Sequence, residues 1–374
     1  MPEPKKASRL PINVPRPLNL NEAAQSVAGY IGRGDTSIFE PVQTGFPVLD
    51  QLLGGSDDMQ GGFYPEDLWL IAGAQGVGKT SLALQMAHNM GSQGVLAIFV
   101  CYEHTPITLW ERMLCQASGA IIKEGQGGKE EELVGIAGLR NVYRSMIENY
   151  QGENFSQEKL IDELLGHLPN PKKLWAEFTK SAAHVWLVQG DPLYTTPAAL
   201  EAYVKMAKEE GHQRMVLFVD YVQRIPVPPQ HGRLLETMER IEFGLRALKG
   251  IAMTHLIPVV GVSAADAEGL RGGRIHLENM WGNATMQYEP DGALVMNKDH
   301  TKDGIEQVRI AIEKNRRGES EIELRYPFKG RMYSFGSPGV RIPDGESWQH
   351  ERASLKPKEI KEAFLDLAEI EKSI

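Results

Sequence analysis

The chain has 374 residues, is 42% hydrophobic and 24% charged, and carries a formal net charge of −9. That balance matches an ordinary globular protein with ample apolar material for a core. It excludes a uniformly basic nucleic-acid coat, although a local basic channel is compatible with an acidic exterior. The sequence holds no run of about 18 apolar residues and its N-terminus lacks an apolar signal core, so no membrane span and a cytoplasmic location are expected. Cys101 and Cys115 have no metal-binding spacing and are expected to be inert.

Residues 1–40 read as an arm and a linker. Pro2, Pro4, Pro11, Pro15 and Pro17, interspersed with Lys5, Lys6, Arg9 and Arg16, suit an extended segment. Ala24, Val27, Ala28 and Ile31 then recur at helical spacing before Gly32 and Gly34, which predicts a short amphipathic helix over 21–31. A helix of that length is marginal alone, so its apolar side is expected to be covered, either by its own core or by a neighbouring subunit. The phrase TGFPVLDQLLGG follows at 44–55.

The stretch 68–90 reads as strand, glycine loop and helix. Gly73, Gly78, Lys79 and Thr80 satisfy G-x-x-x-x-G-K-[ST] between an apolar strand at 68–72 and helical spacing of Leu82, Met86 and Met90. Glycines at 73, 76 and 78 allow successive backbone N–H groups to turn inward on a phosphate, and the helix beginning near Lys79 adds its positive end. The loop assigns Gly73, Ala74, Gln75, Gly76, Val77, Gly78, Lys79, Thr80 and Ser81 to nucleotide binding. Lys79 is expected on the β- and γ-phosphates of ATP and the Thr80 hydroxyl on Mg²⁺.

Next, VLAIFVCY at 95–102 is a continuous apolar run ending at Glu103, with a helix predicted over 106–116. An acidic residue at the carboxyl end of a central strand borders the crevice where α/β sheets bind ligands. Residues 119–181, with the charged loop at 125–132, read as an elaboration of helices and loops. HVWLVQG at 184–190 reads as another buried strand and 196–210 as a helix. MVLFVD then forms a strand delivering the carboxylate of Asp220 to the metal's water shell, and Gln223 follows either as a phosphate sensor or as a backbone partner. A loop at 226–233 precedes a long helix at 234–254, then a strand ending in Ser263-Ala264, a glycine-rich loop with Arg271 and Arg274, and paired strands at 292–297 and 307–312.

With TGFPVLDQLLGG, the P-loop, FVCYEH and DYVQ in this order, the chain resembles the RecA-like ATPases, particularly DnaB-type replicative helicases, with the KaiC-like group second. The resemblance covers roughly 40–336. It implies an α/β fold: a RecA-like P-loop NTPase core with a mostly parallel central sheet flanked by helices and terminal antiparallel strands. On this reading 41–336 is the ATPase domain, and 337–374 is a tail whose Ile360, Phe364, Leu367 and Ile370 line a helix that packs back or docks a protein partner.

By the same resemblance Glu103 polarises the attacking water. Lys314 and Arg316, in EKNRRG, reach the γ-phosphate bound by the next subunit, which requires a hexameric ring or filament. Arg271 and Arg274, joined by Arg233, stand where single-stranded DNA is contacted. Two departures weaken the DNA link: Ala264 replaces a Gln that couples nucleotide state to the DNA-facing loop, and Trp281 replaces an Arg. Two outputs remain open, a helicase or translocase on single-stranded DNA and a nucleotide-controlled assembly ATPase whose output is partner binding.

Overall fold

Apolar runs dominate the central strands because those strands are covered on both faces. β1 (Leu68–Gly73), β2 (Leu96–Cys101) and β4 (Met215–Asp220) are buried at every position. The computed structural model describes residues 17–55, 61–121, 134–151, 154–168, 170–228, 235–265, 274–280, 283–299, 306–343 and 346.

The remaining strands are β3 (Val185–Gln189), β5 (Val259–Ala264), β6 (Gly292–Asp299), β7 (Gln307–Asn315), β8 (Ile322–Lys329), β9 (Ser334–Phe335) and β10 (Val340–Arg341). They form a ten-stranded sheet in the order β10-β8-β7-β6-β1-β5-β4-β2-β3, with β9 attached to β8. From β6 to β3 the strands run parallel. The β6–β7, β7–β8 and β8–β10 pairs are antiparallel. The sheet therefore continues past residue 336, where the sequence suggested the domain would end.

Helices α3 (Lys79–Ser92), α4 (Pro106–Ile121), α8 (Pro197–Glu209) and α9 (Thr237–His255) connect the parallel strands, as crossovers between parallel neighbours must. Two separate apolar clusters, centred on Phe99, Phe218 and Met86 on one side and on Leu217, Leu245 and Ile98 on the other, show that both faces are packed. Helices α5 (Ile136–Asn149), α6 (Gln157–His167) and α7 (Pro171–Thr179) form the elaboration between β2 and β3.

One strand departs from expectation. β3 reads as a buried run but lies at the sheet's edge, half-buried at four positions and exposed at Gln189. A continuous apolar run specifies two covered faces, and says nothing of whether a neighbour completes the hydrogen-bonding edge.

The TGFPVLD phrase acquires a physical reason. Asp50, in the short helix α2 (Pro47–Leu52), accepts hydrogen bonds from Thr44 N at 2.8 Å, Thr44 Oγ1 at 2.7 Å and Gly45 N at 3.1 Å. Burial pushes its carboxyl up to about 6, against the lowering effect of those donors. Gly45 is left-handed at φ 79°, and Asn89 of α3 donates to Thr44 O at 3.0 Å. The turn is thereby a brace on the helix that carries the P-loop.

Residues 1–40 form a separate unit from 41 onward. Within its described part, α1 (Leu20–Gly32) begins at Asn19, whose side chain accepts from Asn21 N and Glu22 N while Glu22 returns a bond to Asn19 N. That capping box explains where the helix starts. α1 has no buried residue, and Leu20, Val27 and Ile31 are exposed.

Candidate nucleotide site

The carboxyl ends of β1, β2, β4 and β5 open on a cavity of about 960 Å³ lined by the P-loop, Glu103, Tyr221, Gln223 and Arg224. Its floor is the loop between β1 and α3. Gly73, Gly76 and Gly78 have φ of 148°, 76° and 98°, which a side chain would resist. Gly78 is also confined: a Cβ there would lie 2.9 Å from the Phe335 ring. The Phe328 and Phe335 rings stack with centroids 4.4 Å apart beneath it, and Gln85 of α3 exchanges two hydrogen bonds with the Phe335 backbone, of 2.9 and 2.8 Å. The antiparallel end of the sheet thus buttresses the P-loop helix.

Lys79 is 3% exposed, and its Nζ donates to Ala74 O at 2.7 Å. Burial pulls its ammonium down to about 8, with Asp220 and Glu103 opposing the shift. Thr80 donates its hydroxyl to Asp220 Oδ2 at 2.8 Å. Asp220 is fully buried, and burial pushes its carboxyl up to about 6. Its other oxygen, Oδ1, is buried without a hydrogen-bond partner. A buried carboxylate oxygen left in this state calls for a water or a cation, so Thr80 and Asp220 fit Mg²⁺. Cys101, at the end of β2, points its thiol at Asp220 Oδ2 at 3.6 Å, and burial raises that thiol to about 12. It is inert, as its apolar setting suggested.

Glu103 stands just past the end of β2 and pairs with Arg224 at 3.2 Å. Gln223 Nε2 donates to Ser263 Oγ at 2.8 Å and to Ala264 O at 3.3 Å, so it bonds to the end of β5, the place where the resemblance expects a Gln. Its Oε1 is buried without a partner.

The cavity brings together the P-loop, Glu103, Asp220 and Gln223, but does not include Lys314 and Arg316. Lys314 Nζ donates to Gln287 O at 2.5 Å and Tyr288 O at 3.2 Å, at the end of α10 (Asn283–Tyr288). Arg316 pairs with Asp291 at 2.7 Å, and Asp291 also accepts from Leu68 N at 2.8 Å. Leu68 opens β1 and Gly73 closes it, so these two cations lie at the end of the strand opposite the P-loop.

The candidate nucleic-acid residues are not brought together. Arg233, Arg271 and Trp281 lie outside the described residues, as does the helix expected near the C-terminus. Arg274 is described, and its side chain is 12% exposed, 2.8 Å from Glu323 and 3.7 Å from Glu313. The mobile, solvated guanidinium expected at this position is a packed one, because β7 and β8 supply carboxylates beneath it.

Sequence reasoning missed Arg112, Tyr333 and Arg224. The Arg112 guanidinium lies over the Tyr333 ring at 4.7 Å and both line the cavity. Tyr333 sits on a left-handed turn, φ 55°, far along the chain from Arg112.

A parallel sheet with the P-loop strand β1 and the Asp220 strand β4 on either side of β5, closed by antiparallel strands, is the fold of RecA-like P-loop ATPases. Residues 41–141 match the family model described as the DnaB-like helicase C terminal domain. Among solved structures the chain is similar to an isolated ATPase domain, with TM-score 0.62 and 17% identity over 85% of this chain and 98% of that one. It is also similar to a DnaB-like replicative helicase studied with primase, with TM-score 0.60 and 17% identity over 85% and 68%. Over 83 residues it is 36% identical to the DNA repair protein RadA of Mycobacterium tuberculosis, a stretch that is 22% of this chain and only 16% of RadA's length. Among the described residues no helix is long and apolar enough to cross a membrane.

Proposed function

We propose that this protein hydrolyses ATP, and that it does so as a DnaB-like helicase or translocase ATPase acting on single-stranded DNA in a ring or filament. The observation that carries the hydrolytic reading is the buried Thr80–Asp220 pair at 2.8 Å, whose Oδ1 lacks a partner, set directly behind a complete P-loop.

Backbone N–H groups of residues 74–80 cradle the β- and γ-phosphates, and Lys79 leaves Ala74 O to bind their oxygens. Thr80 and Asp220 would hold Mg²⁺, which supplies charge neutralisation at the phosphates when bound. A water attacks the γ-phosphorus in line, the bond to the bridging oxygen breaks, and Glu103 takes the proton the water loses. ADP and phosphate are the products. Arg112 and Tyr333 offer a stacked wall to the rest of the nucleotide.

Lys314 and Arg316 face away from their own P-loop, so they serve the γ-phosphate held by a neighbouring copy. The apolar side of α1, with Leu20, Val27 and Ile31, is covered in the same assembly. The domain assignment proposed is an arm and linker helix over 1–40, the ATPase over 41–336 with its elaboration at 119–181, and a tail over 337–374 that offers a protein-partner helix.

A second reading is favoured by the packing of Arg274 against Glu323 and by Ala264: an assembly ATPase, KaiC-like or loader-like, whose output is partner binding. ATP turnover with and without single-stranded DNA at fixed low salt, with Lys79→Ala as blank, separates them. Stimulation of about tenfold that fades as salt rises supports phosphate contacts and the motor. Turnover indifferent to DNA moves the function to partner assembly.

A further inference from the structure

Glu103 Oε1 and Arg224 Nη2 are 3.2 Å apart, on side chains 27% and 56% exposed. Arg224 ends the 3-10 turn Val222–Arg224 that follows Asp220 directly. Two cavities meet at this residue. One is the nucleotide cavity; the other, of about 710 Å³, is lined by Gln223, Arg224, Arg240, Tyr102 and the prolines at 226 and 228. Glu103 lines only the first and Arg240 only the second.

Arg224 is therefore a shared wall with a carboxylate on one side and a second guanidinium on the other. An oxygen of Glu103 that accepts from Arg224 is not available to accept the proton of a water. An anion in the second cavity would meet two guanidinium groups, and a phosphate forms charge-assisted bonds at least as strong as those of a carboxylate. Partial exposure keeps the Glu103–Arg224 pair weak enough to exchange.

We propose that Arg224 is a positioning residue that restrains Glu103, and that a phosphate of single-stranded DNA entering the second cavity draws Arg224 away and frees the carboxylate for the attacking water. The proposal rests on the reading of Glu103 as the group that takes the water's proton.

The test compares ATP turnover of wild type, Arg224→Gln, Arg224→Lys and Glu103→Gln, with and without oligo(dT), alongside binding of a fluorescent ATP analogue. Arg224→Gln is expected to raise kcat without DNA about three- to fivefold, the rate equivalent of releasing a partly exposed ion pair, with KM unchanged. Oligo(dT) should then add little, and Arg224→Lys, which keeps a cation, should stay near wild type. If Arg224→Gln binds nucleotide normally but is no faster, or if oligo(dT) stimulates it as strongly as wild type, the restraint is wrong. Glu103→Gln separates the two levels. Inactive Glu103→Gln beside an unaccelerated Arg224→Gln removes only the restraint, whereas full activity of Glu103→Gln removes the role of Glu103 and the proposal with it.

Discussion

Thr80 and Asp220, 140 positions apart, are joined by a 2.8 Å hydrogen bond that ties the first turn of the P-loop helix to the end of β4. The bond holds two Mg²⁺-type oxygens together before any nucleotide arrives. Asp220→Asn keeps the shape and removes the charge. Nucleotide binding by this variant should lose its dependence on Mg²⁺, and turnover should fall by about a hundredfold or more. Calorimetric titration with ATP in magnesium and in EDTA reads the first effect, and phosphate release reads the second.

The two charged groups of the floor shift toward each other and define a pH window. Burial raises Asp220 to about 6, so it is ionised only above that pH, and burial lowers Lys79 to about 8, so it is charged only below that one. The free protein holds the charge pair suited to magnesium and phosphate between the two values. A plot of kcat/KM against pH, which reports the free enzyme, is expected to rise through about 6 and fall through about 8.

Removing Asp50 should loosen the P-loop helix without touching the nucleotide. Asp50→Ala leaves Thr44 N, Thr44 Oγ1 and Gly45 N without their acceptor, a loss of about 2 kcal/mol. The folded carboxyl titrates near 6 against an ordinary 3.8, so the folded form holds the extra proton between these values. Stability from this group is complete below 3.8 and is lost as pH rises through about 6. Urea melts of wild type and Asp50→Ala should therefore differ most at the acidic end of that range.

Arg274 and Arg316 should behave in opposite ways. Arg274→Ala strands Glu323, which is 1% exposed, and should destabilise the fold by about 3 kcal/mol while leaving the DNA affinity of the folded fraction unchanged. Arg316 is 53% exposed, so Arg316→Ala should cost little stability. In the assembled protein its turnover should fall about a thousandfold. Normal hydrolysis by Arg316→Ala would sink its role as a cation acting in trans.

The P-loop and Asp220 were legible in the sequence because phosphate and metal binding impose a contiguous strand, loop and helix, or a strand with its carboxylate last. Asp50 was legible as part of a phrase, but its work was not, since Thr44 and Gly45 reveal their donors only when the turn closes. Arg274 looked solvated between glycines because Glu313 and Glu323 arrive on strands formed much later in the chain. β3 misled for a related reason: hydrophobic pattern reports faces, and edge position is decided by strand order. Arg112 and Tyr333 had no signal at all, being a helix residue and a turn residue united only by the folded sheet.

The bonds between Gln85 and Phe335 span 250 positions, and they have a consequence for the newborn protein. While the ribosome is still making the last strands, the P-loop helix lacks its aromatic floor and its partner for Gln85. A long-range closure of this kind comes late in folding. A chain interrupted before Phe335 should therefore fail to hold nucleotide although every motif residue has already been translated.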